Sequence, residues 1–387
     1  MKPVPVFTFT CPVKTNSGNK ALEHLPVELA NLNAVKPIVI TGAKVVGEKA
    51  VRTLAGAFGD SGMTYALFDG VSPAANLALI ENLKITCIEN QYDAVIALGG
   101  GTIVDVAKVL NMAVSLKTAD ARQLSPQTPL RKHLNPLVVV PTAEASGLET
   151  SKLAHLDRNV FSSEYLAPNL VVIDPRLTRA ADGKTIAATG LAALSRALEA
   201  HISTDKNPFR DAYSFAAIRF IKENLLAAVN NPGDKKASLA VANAAAMSGC
   251  AFSNAENGLL HKLGQVFQDM QQLPAGMVMG MFLPSVCGHY LNKGDNDLAA
   301  LLHPLAGDDA FVQTPAAKRA EAALDLLDRF LAGLRGALGK DMPQNFKEAG
   351  VPGYRMEEVL DVLATDREGS ALCAIVKRLW NQQPMPF

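Results

Sequence analysis

Five short apolar runs in the first half of the chain, each followed by a stretch long enough for a helix or a loop, constrain the fold more than any other feature. They are KPIVIT (36–41), TYALFD (64–69), DAVIALGGG (93–101), PLVVVPT (136–142) and NLVVID (169–174). Their apolar character is nearly continuous, not alternating, as in strands buried on both faces. Helix-length segments 44–58, 76–90 and 103–116 lie between them. Strand and helix in alternation predict a parallel sheet joined by right-handed crossovers. After VIDPRLT (172–178) such runs cease. Ala, Leu and Met then recur at helical spacing, with breaks at 207–209, 230–234, 273–276 and 350–353. The expected organisation is an α/β domain over 1–185 and an all-helical domain over 186–387, since 387 residues exceed the usual size of one core.

Thirty-seven basic and 37 acidic residues leave no net charge, so neither nucleic acid nor an anionic membrane is an expected partner. The five cysteines are far apart in sequence and form no CxxC pair, which fits a reducing cytoplasm and argues against a disulfide framework or a zinc knuckle. The opening MKPVPVFTFTCPVK has two prolines in its apolar stretch and no small-residue cleavage site, and reads as a strand instead of a signal peptide. No apolar run reaches membrane-spanning length.

Gly99, Gly100 and Gly101 stand between a strand and a helix that opens with Thr102 and carries Asp105 and Lys108. Backbone N–H groups at a helix N-terminus, unblocked by side chains, suit a phosphate, although a plain tight turn has the same composition. PTAEASGLET (141–150) follows another strand, and in a parallel sheet such loops line one crevice, so the first domain is expected to bind a dinucleotide. None of the seven histidines has a neighbour at ligand spacing, and each reads by itself as structural or solvated. Within ATGLAALSRALEAH (188–201), a run of mostly small and apolar residues, one arginine, Arg196, stands in the middle.

Taken together, SGNKALEHLP, GGGTIVDVAK, PTAEASGLET, VIDPRLT, AATGLAALSRALEAH, NPFRDAYSFAAIRFI, MSGCAFSNAENGLLH and LPAGMVMGMFLPSV resemble the iron-containing (group III) alcohol dehydrogenases in order and spacing. The resemblance implies an N-terminal dinucleotide-binding domain, a helical metal-binding domain and an active site between them. It also implies a dimer that interconverts alcohols and aldehydes with NAD or NADP, and it places cofactor contacts at Gly42, Gly99, Gly100, Gly101, Thr102, Asp105, Thr142 and Arg158. Leu148 departs from the family's serine. The family's Asp and His in TG-x-D-A-L-T-H, the first His of H-x-x-x-H and the His of P-H-G fall here on Ala192, Arg196, His261 and Ala275, and the second His of H-x-x-x-H is Gln265.

Alanine ligates nothing and a single histidine holds a divalent ion weakly, so no tightly bound metal is expected. Arg196 and His261 are then the candidate catalytic groups, the first for a developing alkoxide or an anionic substrate group, the second as proton donor. A surface ion pair between Arg196 and Glu199 is the competing account of the arginine. Gly42, where many NAD-preferring relatives carry an Asp, together with Lys44, favours NADP over NAD. The expected activity is that of a metal-free alcohol dehydrogenase or aldehyde reductase. A non-catalytic nucleotide-binding or regulatory homologue is the main alternative, and a lyase or synthase of the dehydroquinate-synthase-like fold a weaker one.

Overall fold

The structure is a computed structural model that describes residues 6–46, 49–59, 61–157, 159–178, 182–203, 207–255, 258–270, 273–293 and 297–381. The chain divides into two compact units, one of Thr10–Ala181 and Pro232–Ser253, the other of Met1–Phe9, Asp182–Asn231 and Asn254–Phe387. The first is built on six parallel strands: β1 (Lys14–Ser17), β2 (Pro37–Ile40), β3 (Ala66–Phe68), β4 (Ala94–Leu98), β5 (Leu137–Val140) and β8 (Leu170–Ile173), in the order β1-β8-β5-β4-β2-β3. Every residue of β2, β4, β5 and β8 is buried, which is why these runs are continuously apolar. Helices α1 (Leu25–Asn31), α2 (Ala43–Val46), α3 (Ala50–Phe58), α4 (Leu77–Glu89), α5 (Thr102–Leu116) and α6 (Pro175–Thr178) accompany the sheet.

Three features depart from the sequence reading. The N-terminal strand covers Lys14–Ser17 at the sheet edge, and residues 6–13 form no strand. A hairpin of β6 (Leu153–Leu156) and β7 (Asn159–Ser162) follows the 141–150 loop, its turn begun by Asp157 at φ 54°. Helix α9 (Lys235–Phe252), in sequence part of the helical half, belongs to the sheet unit, where Ala242 and Ala246 join the core and the helix packs on α6 and β8.

In the helical unit, α7 (Gly183–Ile202) and α8 (Pro208–Asn230) begin at side-chain caps: Asp182 accepts from the Thr185 N–H and Asn207 from the Arg210 N–H. The NPF break is therefore a cap followed by Pro at the first helical position. Asp234 likewise starts α9 in the sheet unit. Helices α10 (Leu259–Asp269) and α11 (Ala275–Asn292) pack against each other and both pack on α7. No helix of the described residues is long and apolar enough to cross a membrane.

Two polar side chains of α5 fix the segment after β5. Lys108 is fully buried, and its amine donates to the carbonyls of Leu148 (2.7 Å), Ser151 (2.6 Å) and Leu153 (2.8 Å) and to the Ser151 hydroxyl (3.2 Å). Three ammonium protons thus meet three backbone carbonyls, two of which the Ser151 N–H or hydroxyl also approaches. One turn earlier, Asp105 accepts the His155 N–H at 3.0 Å. Replacing Lys108 by Met strands those carbonyls in a dry interior, and the expected loss of stability is about 2–4 kcal/mol. Chemical denaturation checks this; an unchanged midpoint would mean that water takes the place of the amine.

Candidate functional site

The strand order reverses between β2 and β4: β3 lies beyond β2 on one side, and β5 and β8 beyond β4 on the other. Ligands of open α/β sheets sit outside the carboxyl ends of the strands at such a point. Here the two ends are Thr41–Gly42 and Gly99–Gly101, and the Thr41 hydroxyl ties them by donating to the Leu98 carbonyl at 2.7 Å. Gly99 (φ 146°) and Gly101 (φ 49°) adopt backbone angles that other residues avoid. Gly100 has a different reason to be glycine: a Cβ there would stand 2.3 Å from the Glu144 carbonyl oxygen, so this turn is pressed against the 141–150 loop. At Gly101 a Cβ would meet nothing within 4 Å. That open space lies at the N-terminus of α5, whose first residue, Thr102, is half-buried. A strand-to-helix turn of this form is the kind of place where a phosphate can sit, which makes it the candidate anchor.

The other expected contacts are distributed more variously. Gly42 is buried, and a Cβ there would stand 2.8 Å from the Val71 carbonyl oxygen, so close packing by itself already demands glycine. Thr142 is buried at the start of the loop, its carbonyl accepting the Ala145 N–H. Asp105 is buried against the His155 backbone. Arg158 and the Lys44 side chain lie outside what the structure describes. Unforeseen in the sequence, Glu149 closes the loop's turn by accepting the Ser146 and Gly147 N–H groups, and Leu148, the departure from the family's serine, is buried there.

Within the helical unit, α7, α10 and α11 gather the positions that the resemblance assigns to a metal. Ala192 and Arg196 share a face of α7, His261 lies in the first turn of α10, and Ala275 opens α11. Glycines allow the close approach: a Cβ on Gly276 would overlap the Ala188 carbonyl, and one on Gly264 would meet Met279 and the Ala275 carbonyl. Two methyl groups, a guanidinium and one imidazole do not make a donor set for a divalent cation. Among the described residues no group of three or more His, Cys, Asp or Glu side chains is arranged to hold one.

Arg196 and Glu199 are both buried, at 4 % exposure each, so the surface ion pair is not what the fold builds. Glu199 instead caps α10: its carboxylate oxygens accept the N–H groups of Leu260 and, at 3.1 Å, of His261. A Cβ on Gly258 would stand 2.3 Å from that carboxylate, which explains the glycine at the helix start. Burial pushes the Glu199 pKa up to about 8, against the pull of the two N–H donors and the charge of Arg196. The sequence signal for this residue was its place one turn beyond Arg196.

A carboxyl whose pKa is higher folded than unfolded stabilises the protein most below its unfolded value, near 4.5, and loses that contribution as pH rises through about 8. Stability is therefore expected to decline across that window, and Glu199→Gln, a neutral isostere, to flatten the decline. Thermal melts of both proteins from pH 5 to pH 9 provide the check. Parallel pH profiles would assign the wild-type decline to another group.

Comparison with known proteins agrees with this architecture. The profile of iron-containing alcohol dehydrogenases matches residues 12–175, and that of the C-terminal domain of the Fe-containing alcohol dehydrogenase family matches residues 186–372. The chain is 27 % identical over 382 residues to long-chain-alcohol dehydrogenase 1 of Geobacillus thermodenitrificans, covering 97 % of this chain and 92 % of that one. It is 28 % identical over 364 residues to the NAD-dependent methanol dehydrogenase of Bacillus methanolicus, covering 92 % of each. A solved 1,3-propanediol oxidoreductase shares the fold at a TM-score of 0.87 and 24 % identity, over 97 % of this chain and 100 % of that one. With both halves matched and the six-stranded sheet and helical region in place, the chain belongs to the iron-containing alcohol dehydrogenase family.

Proposed function

We propose that this protein is an NAD(P)-dependent oxidoreductase that interconverts an alcohol and an aldehyde without a protein-bound divalent metal. The observation that carries the reading is the set Ala192, Arg196, His261 and Ala275, buried or half-buried where α7, α10 and α11 meet, with a fixed cation and one donor in place of four ligands. Gly99, Gly100, Gly101 and Thr102 at the strand-order reversal support the dinucleotide half.

When bound, the dinucleotide supplies the hydride in the reductive direction. A carbonyl bound beside the Arg196 guanidinium would have the negative charge that develops on its oxygen stabilised by charge-assisted hydrogen bonding. The same group suits an aldehyde bearing a carboxylate or phosphate. His261 delivers the proton that completes the alcohol, and Glu199 holds the His261 backbone in position. With no acidic side chain at position 42, a 2′-phosphate meets no carboxylate from that position, which favours NADP as the cofactor. The family relationship supports action as a homodimer, and five cysteines with no CxxC pair in the sequence fit a reducing cytoplasm. A non-catalytic nucleotide-binding homologue is the rival, favoured by the loss of the ligand set itself.

Turnover of an aldehyde panel with NADPH is expected to survive exhaustive chelation and to fall at least about a hundredfold in Arg196→Ala with the fold retained. Dinucleotide binding with no turnover on any aldehyde supports the rival. The variant carrying Ala192→Asp, Arg196→His and Ala275→His beside native His261 should acquire zinc binding; a folded variant that binds none would detach Arg196 from the ancestral metal position.

Thr102→Glu places a carboxylate in the first turn of α5, which favours the helix but repels a phosphate. Affinity for NADPH, read by fluorescence titration, should drop about tenfold or more with little change in melting temperature. Unaltered affinity removes the phosphate from this helix end, and equal or tighter binding of NADH by the unmodified protein overturns the NADP preference.

A further inference from the structure

Cys11 and Cys250 are separated by 239 residues, yet the Cys11 thiol donates to the Cys250 sulfur at 3.4 Å. Both belong to the sheet unit. Cys11 is half-buried, just ahead of β1, and Cys250 is buried near the end of α9. The other cysteines have different surroundings. Burial pushes the Cys87 thiol up to about 11 and the Cys287 thiol up to about 12, and the bond from Cys11 together with burial raises Cys250 as well, so what sets Cys250 apart is the second sulfur beside it; Cys373 bonds to the Leu360 carbonyl. A disulfide needs the sulfurs at about 2.05 Å, so closure takes a shift of roughly 1.4 Å, within reach of side-chain rotation.

The pair also lies where α9 meets the loop that flanks the glycine turn. Beside Cys250, a Cβ on Gly249 would overlap the Gly147 carbonyl and stand 2.2 Å from the Thr150 hydroxyl oxygen. The Thr150 hydroxyl donates to the Ala246 carbonyl at 2.7 Å, and the Lys152 N–H donates to the Ser253 hydroxyl at 3.0 Å. A covalent link at this end of α9 therefore restrains the surface on which residues 147–152 rest.

We propose that Cys11 and Cys250 are an oxidisable dithiol, closed to a disulfide by small-molecule disulfides, and that closure steadies the 147–152 segment against α9. Cys11, the more accessible thiol, attacks as thiolate on one sulfur of the oxidant, forms a mixed disulfide and expels a thiolate. Cys250 then attacks the Cys11 sulfur, forms the protein disulfide and expels the second thiolate. The two cysteine protons pass to the expelled thiolates, and the two electrons lost by the protein reduce one small disulfide to two thiols.

The test incubates the full-length protein with glutathione disulfide, then maps peptides and counts maleimide-reactive thiols under denaturing conditions. A Cys11–Cys250 peptide, a loss of two reactive thiols, reversal by dithiothreitol and slower amide exchange over 147–152 are expected. Cys250→Ser should stop at a glutathionylated Cys11, while Cys373→Ser should leave the crosslink intact; circular dichroism checks that both variants fold. Glutathione persisting on wild-type Cys11, a crosslink through Cys373 or no oxidation at all overturns the pair, and unchanged exchange over 147–152 overturns its action on the loop.

Discussion

The ammonium of Lys108, enclosed among three backbone carbonyls, is the contact on which the candidate dinucleotide region depends. An irregular segment can be buried only if its polar groups find partners. Residues 148–153 are almost wholly buried, and α5 supplies those partners through one side chain, with Asp105 serving the next stretch. The same helix offers its N-terminus to the open space at Gly101. One helix thus presents the candidate phosphate-binding end and anchors the neighbouring loop, so the separation between them is fixed by the helix itself.

A buried carboxylate plays the corresponding part in the helical unit. Glu199 reaches from α7 to the first turn of α10, satisfies N–H groups that a helix start leaves without partners, and so fixes the residue that carries the remaining imidazole. Its burial opposes ionisation while Arg196 and the N–H donors favour it. The Arg196 guanidinium, one turn away on the same helix, puts a positive charge beside this buried carboxyl. An arginine there stays charged across the whole working range of pH.

Much of the fold was legible because burial on both faces leaves a direct mark on composition. Strands β2, β3, β4, β5 and β8 each lie inside one of the five apolar runs, and the Asn207 and Asp234 caps fall at the breaks. The hairpin of β6 and β7 left no such mark, since LAHL and NVFS carry polar residues that interrupt an apolar run. Helix α9 reads like any other alanine-rich helix, and only packing shows that its Ala242 and Ala246 face the sheet's core.

By itself the sequence determined the alternation of elements and the glycines at the end of β4, and it carries Ala192, Arg196 and Ala275 at the positions that the resemblance assigns to ligands, because each is a property of neighbouring residues or of local spacing. Only the tertiary structure decided that Gly100 is packed on Glu144, that Lys108 holds a loop 40 residues away, that Glu199 caps another helix and that Cys11 meets Cys250. These contacts join residues distant in the chain, and hydrogen bonding, burial and close approach between such residues are set by how the elements pack, which no local pattern encodes.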